Sequence, residues 1–154
     1  MADMQIVEFR ADLAGAFRSL NEAWITTLFK LEPKDLEVLS DPQGQILARG
    51  GQVLFALEDG APVGCCALMA LSDGGFEVAK MAVADSHKGR GLGRALMAAC
   101  VDHARAAGAP RLYLETNSAL APALGLYRSF GFTEIEPAHP SPYARADVVM
   151  ELKL

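Results

Sequence analysis

The stretch Lys88-Gly89-Arg90-Gly91-Leu92-Gly93-Arg94-Ala95-Leu96 constrains this chain more than any other. An apolar run, Val78 to Ala84, broken only by Lys80, precedes it, and good helix formers fill Arg94 to Ala107. The order reads as strand, glycine-rich turn, helix. Glycine takes the φ > 0 angles such a turn needs and leaves backbone N–H groups open to a ligand. The helix that follows adds unpaired N–H groups and a partial positive charge at its start. Lys88, Arg90 and Arg94 add full charges. Together these features predict an anion site of the phosphate type. Without a ligand the same residues make a plain strand-to-helix turn.

Two common phosphate motifs do not fit. A P-loop needs Lys-Ser or Lys-Thr after its last glycine, and here Gly93 is followed by Arg94. A dinucleotide fingerprint needs a third small residue, but that place falls on Leu96 or Arg94 depending on the glycine taken as first. Glu115 stands roughly where a ribose-binding acid would follow, a coincidence once the glycine spacing has failed.

A chain of 154 residues, 51% hydrophobic and 21% charged, fits one globular domain spanning 1–154. A net charge of -5 speaks against a dedicated nucleic-acid binder, which would carry a basic surface. Against that acidic background the basic cluster of Lys88 to Arg94 helps an anionic ligand arrive. Cys65, Cys66 and Cys100 are odd in number, partly adjacent and set among apolar residues, which predicts free buried thiols in a reducing compartment. No metal-ligand spacing is present, so no metal is expected. Met1 to Arg10 has no basic start with an apolar core, and no apolar run reaches membrane-spanning length. The expectation is a cytoplasmic protein that meets neither membrane nor nucleic acid.

In chain order, Gln5 to Phe9 alternates as a first strand. Asp12 is placed to cap a helix whose apolar face is Leu13, Phe17, Leu20, Trp24, Thr27 and Leu28. Pro33 to Leu39 and Pro42 to Ala48 read as short helices ended by Gly50-Gly51. Residues 30–50 are either a mobile cover over a substrate or a surface connection. Val53 to Glu58, the turn Asp59-Gly60 and Ala61 to Leu71 form a hairpin whose return strand is apolar enough to be covered on both faces. Phe76 to Ala84 leads into the glycine stretch. The helix after it presents Leu92, Leu96, Ala99 and His103 on one face and ends at Gly108, before Pro110. Arg111 to Thr116 is then a strand, parallel to the one before the helix. Ala119 to Phe130 is a helix and Phe132 to Ile135 a short strand; three prolines between Pro137 and Pro142 make an extended loop, and Ala146 to Leu152 is the last strand.

Lys88-Gly89-Arg90-Gly91-Leu92-Gly93 resembles the pyrophosphate-binding motif of the GNAT superfamily of N-acetyltransferases: Arg or Gln, two residues, Gly, one residue, Gly or Ala. Lys88 at the first place is a departure. Leu114-Glu115-Thr116-Asn117 followed by Ala123 to Phe132 resembles a second motif of bacterial members, in the expected order and separation. The resemblance implies an α/β (α+β) GNAT fold: a mixed, mostly antiparallel sheet of six to seven strands with a splayed parallel pair, flanked by about four helices. It implies acetyl-CoA as co-substrate. The pantetheine arm would lie on Met81, Ala82 and Val83, the pyrophosphate on Lys88, Gly89, Arg90, Gly91, Leu92 and Gly93. Asn117 would bond the arm, or else cap the next helix.

Transfer to an amine needs the amine deprotonated and the leaving thiolate protonated. By resemblance Tyr127 is the general acid, against a core tyrosine. Counting back from the glycine motif, Glu77 falls where histone-acetylating members carry a glutamate base; burial in an apolar strand would suit it to that work. The alternatives are a solvated acid paired with Lys80, or a water chain in place of any single base. Trp24 is either core or a wall of the acceptor site, and Arg145 either binds an acceptor carboxylate or makes a surface ion pair. The function implied is acetyl transfer to the primary amine of a small or amino-acid-like molecule. The alternatives are a protein lysine or N-terminal amine as acceptor, or a non-catalytic acyl-CoA sensor. Members of the superfamily also form homodimers, a state this sequence does not specify.

Overall fold

A computed structural model describes residues 3–154; Met1 and Ala2, which open the Met1 to Arg10 stretch read above, lie outside the described residues. Seven strands form one sheet: β1 (Met4–Glu8), β2 (Gln52–Glu58), β3 (Ala61–Ala70), β4 (Phe76–Val83), β5 (Arg111–Thr116), β6 (Thr133–Glu134) and β7 (Val148–Lys153). Their order is β1-β2-β3-β4-β5-β7-β6. Every neighbouring pair is antiparallel except β4 and β5. The β2–β3 turn has Asp59 at φ 49° and Gly60 at φ 83°, the left-handed pair that a tight two-residue hairpin requires.

Helices cover both faces. On one lie α1 (Ala14–Leu28), α2 (Pro33–Ser40) and the single turn α3 (Pro42–Gln45); on the other lies α4 (Leu92–Ala106), while α5 (Ala121–Ser129) follows β5. β3 divides the core between the layers, as its unbroken apolar run implied. Cys65 packs with Phe17, Val38 and Phe55, and Cys66 packs with Leu54, Leu96 and Cys100. All three cysteines are free and buried.

Local details differ from the sequence reading where polar groups enter the core. Asp12 does not cap α1; it lies in a 3-10 turn, Ala11–Leu13, bonded to Arg10. The buried face of α1 is Phe17, Asn21 and Ile25, while Leu28 is 58% exposed. Asn21 holds a core position because its Nδ2 donates to the Phe17 carbonyl at 2.9 Å and to Cys65 Sγ at 3.4 Å, so its amide is satisfied without water. Apolar periodicity alone cannot register such a residue. The core face of α4 runs through Leu92, Leu96, Met97, Cys100, Val101 and Ala104; His103 lies beside it, its ring 5.8 Å from that of Phe76. Residues 30–50 are a packed layer, since Asp35, Val38, Leu39 and Ile46 are all buried.

The feature that positions the site is the parting of β4 and β5. Their register holds only at Phe76↔Leu112 and Glu77↔Tyr113. Beyond that point β5 stays paired with β7 through Thr116, and β4 stays paired with β3 through Val83. β4 also carries a bulge: Ala67 faces Ala79 and Cys65 faces Ala82, so Lys80 and Met81 share the place opposite Cys66, with Lys80 at φ 54°. A bulge bends its strand and raises the local twist. The strands therefore diverge, and the edge of β4 that would pair with β5 is left open. Among the described residues no helix is long and apolar enough to cross a membrane.

Leu96 is fully buried where α4 meets the sheet. Leu96→Ala should lower the unfolding free energy by about 2–5 kcal/mol in urea titration, with the denaturant slope unchanged.

Candidate functional site

A cleft of about 550 Å³ opens where β4 and β5 part. One wall is β4 from Glu77 to Val83; the other is the end of β5 with α5, from Glu115 to Tyr127. Trp24, Leu28 and Phe29 at the end of α1 close one side, and Tyr143, Arg145 and Ala146 close another. Lys88 stands at the glycine turn. The structure thus brings Trp24, Glu77, Met81, Ala82, Val83, Lys88, Asn117, Tyr127 and Arg145 to a single opening.

The glycine turn itself sits at the start of α4. Gly89 and Gly91 both have φ of 79°, and an added Cβ at either would meet nothing within 4 Å. The space before these glycines is therefore open. The first helical bond is from Ala95 N–H to the Gly91 carbonyl, and among the described residues the N–H groups from Gly89 to Arg94 have no acceptor. That row of free donors has the geometry an anion site would use. The Leu92 side chain is buried in the core, so only its backbone faces outward. Of the basic side chains, Arg90 lies 3.3 Å from Glu58 and Lys88 lies 2.9 Å from Asp85.

Deeper in the cleft lie two carboxylates. Glu77 has no hydrogen-bond or ion-pair partner among the described residues; Lys80, its expected partner, is bound elsewhere. Burial pushes the Glu77 carboxyl up to about 7, and the Glu115 charge adds to the rise. Glu115 accepts hydrogen bonds from the hydroxyls of Tyr113, at 2.7 Å, and Ser141. Tyr127 projects from α5 with its ring 6.0 Å from that of Phe132, and burial raises its phenol above the ordinary value. Its proton is thus retained at neutral pH.

A buried ion network, absent from the sequence reading, frames this end of the cleft. Asp35, with no solvent exposure, accepts from Lys80 Nζ at 2.6 Å and from both Arg145 terminal nitrogens at 2.7 and 2.6 Å. Glu32 N–H donates to Asp35 at 2.9 Å, and the Glu32 carboxylate lies 3.3 Å from Arg145 and accepts from Ala144 N–H. Lys80 also donates to the Tyr143 hydroxyl at 3.0 Å. Arg145 was expected at a surface or on an acceptor carboxylate; its guanidinium is instead closed onto Asp35. Asn117 likewise uses its amide within the chain. Its Nδ2 donates to the Arg145 carbonyl at 2.6 Å and its Oδ1 accepts from Ala119 N–H, while α5 begins further on, after Leu120. Asp35 sits 110 residues from Arg145 and 45 from Lys80. The one local hint was Lys80, a lone cation inside an apolar strand, which when buried requires a partner.

The Acetyltransferase (GNAT) family model matches residues 14–132. The IAA acetyltransferase of Azospirillum brasilense is 36% identical over 107 residues, covering 69% of this chain and 65% of that protein. A mycothiol acetyltransferase of Nocardiopsis dassonvillei is 34% identical over 132 residues, covering 77% of this chain and 36% of that protein. The chain therefore spans less than two thirds of the length of these relatives. An acetyltransferase of GNAT family from Staphylococcus aureus Mu50 matches with a TM-score of 0.88 at 18% identity, covering 98% of this chain and 99% of that one. An acetyltransferase of Salmonella typhimurium, solved with its cofactor acetyl-CoA, matches with a TM-score of 0.78 at 22% identity, covering 98% and 94%. At these identities the structures show a shared fold.

Burial alone would raise the Asp35 carboxyl, but the Arg145 and Lys80 bonds outweigh it and bring it from 3.8 down to about 2. A lowered carboxyl stabilises the fold above its unfolded value, and that stability is lost as pH falls from about 4 towards 2. The loss should be about 2 kcal/mol, read from denaturant titrations across that window. Asp35→Asn should flatten that pH slope and, by leaving two cations underpaired, cost about 3–5 kcal/mol at neutral pH.

Proposed function

The chain belongs to the acetyltransferase (GNAT) family, and from that premise we propose that it moves the acetyl group of acetyl-CoA onto the primary amine of a small acceptor. The parting of β4 from β5 beside the open glycine turn carries this reading. The residues present suit a long ligand with a diphosphate. The free N–H groups of Gly89 to Arg94 offer the diphosphate a ready anion site. The open edge at Met81, Ala82 and Val83 offers an amide-bearing arm the pairing of an added strand. When bound, acetyl-CoA supplies an activated thioester carbonyl.

The chain's own residues then manage protons. Glu77, half ionised near neutrality, accepts one proton from the incoming ammonium, directly or through water. Tyr127 keeps its phenol protonated and donates to the departing sulfur. Overall a nitrogen–carbon bond forms and the carbon–sulfur bond breaks; the ammonium nitrogen gives up two protons, the first through Glu77 and the second to solvent as the amide forms, while the thiol takes one from Tyr127, which solvent restores, so that one proton is released net. A module that only bound an acyl-CoA would need neither group in the cleft. A small acceptor fits better than a protein because residues 143–146 close one side, tied to α2 through Glu32 and Asp35. Three free, buried cysteines suit a reducing compartment such as the cytoplasm.

Two measurements test this reading. Gly91→Val places a β-branched residue at a left-handed angle in front of the free amides, and should abolish calorimetric binding of acetyl-CoA that the parent chain shows. For an acceptor bound as its ammonium, kcat/KM should rise with pH and level off above about 7, because ionised Glu77 is the active form. Glu77→Gln should remove that limb and lower the rate by on the order of 100-fold or more. Tyr127→Phe should lower kcat while acetyl-CoA still binds.

A further inference from the structure

The acceptor end of the cleft holds a charge arrangement that acetyl transfer as such does not require. Five charged residues line the cleft: Glu77, Lys80, Lys88, Glu115 and Arg145. Lys88 belongs to the glycine turn. The other two cations are already matched. Lys80 and Arg145 converge on the Asp35 carboxylate, and Glu32 adds a second negative charge beside Arg145. Two cations and two anions cancel, which leaves Glu77 and Glu115 as the uncompensated charges. Glu115 is held by two hydroxyl groups, which orient it without neutralising it. Glu77 has no partner in the described chain. The mouth beside them is apolar and aromatic. The Trp24 and Phe29 rings meet edge to face at 6.3 Å, and Leu28 is 58% exposed at the rim.

We propose that Asp35 sets the acceptor class: by holding Lys80 and Arg145 it denies an anchor to carboxylates, so the cleft selects a primary ammonium on an apolar or aromatic body and turns away amino acids. This rests on the acetyl-transfer reading above and narrows it. The ammonium meets the two cleft-lining carboxylates, and the body lies against Trp24, Leu28 and Phe29 of the same cleft. An α-carboxylate brought to the same place would face Glu77 and Glu115 with Lys80 and Arg145, the lining cations near them among the described residues, already paired, a repulsive arrangement that specificity commonly exploits. It would also be desolvated without a partner. An aromatic wall suits the apolar body of such an amine.

The test compares acceptors that differ only in the carboxylate, 2-phenylethylamine against phenylalanine, with thiol release as the readout and acetyl-CoA binding followed by calorimetry. The expected result is kcat/KM for 2-phenylethylamine about 100-fold or more above that for phenylalanine. Asp35→Asn, checked for folding by circular dichroism, should narrow that ratio by about tenfold or more, because the released guanidinium becomes available to the carboxylate. Trp24→Ala leaves the ion network intact and should lower kcat/KM for 2-phenylethylamine while sparing ethylamine. Phenylalanine used as well as 2-phenylethylamine, or no saturable use of either amine by a chain that binds acetyl-CoA, overturns the inference and leaves the cofactor reading standing. Failure to bind acetyl-CoA overturns the reading beneath it.

Discussion

A carboxylate with no exposure, Asp35, holds three distant parts of the chain together. It reaches Lys80 in the bulge of β4, Arg145 in the loop before β7, and the backbone of Glu32 at the start of α2. Each partner faces a cost that only the others remove. Lys80 takes a left-handed backbone angle, uncommon outside glycine, in the middle of an apolar strand. Burial lowers its ammonium and Asp35 opposes that shift. Without the carboxylate the buried lysine would have lost its charged partner. The bulge lies where β4 turns from β5, so the ion network sits beside the cleft.

Such a network is a poor source of net stability, because removing charges from water consumes most of what their attraction returns. Its effect is better seen in geometry. α2 and residues 143–146 are fastened to the inner wall, and two cations in the cleft are neutralised. What faces the cleft is then a pair of glutamates of unlike environment. Glu115 is fixed by Tyr113 and Ser141, whereas Glu77 is unbonded and displaced towards neutrality by burial and by its neighbour's charge. Two titratable groups with different surroundings is the pattern expected where proton transfer is divided into roles.

The parts of this structure legible in sequence are those governed by local rules. The Asp59-Gly60 hairpin, the glycine turn into α4 and the helix between β4 and β5 each announce themselves within a few residues. The doubly buried β3 was readable from its unbroken apolar run, and the two motifs pointed to the fold. What escaped were the contacts that the buried polar residues make. Asn21 lies on the buried face of α1 outside the expected apolar set, and nothing around Asp35 in the sequence sets it apart. Glu115 matched no motif role that its spacing supported, and only the fold brings its charge near Glu77. Arg145 and Asn117 each had a ligand role and an intrachain role open to them; the structure gives both side chains partners within the chain, Arg145 on buried Asp35 rather than at the surface. These contacts span tens of residues, and no periodicity encodes them.

The central claim is that the ligand lies along the parted edge of β4 and ends on the free amides of the glycine turn. Amide chemical shifts recorded with and without acetyl-CoA test it residue by residue. The largest changes are expected at Met81 to Val83 and at Gly89 to Arg94, with little change along β1 and β2. Saturable binding that leaves both of those stretches unmoved would contradict it.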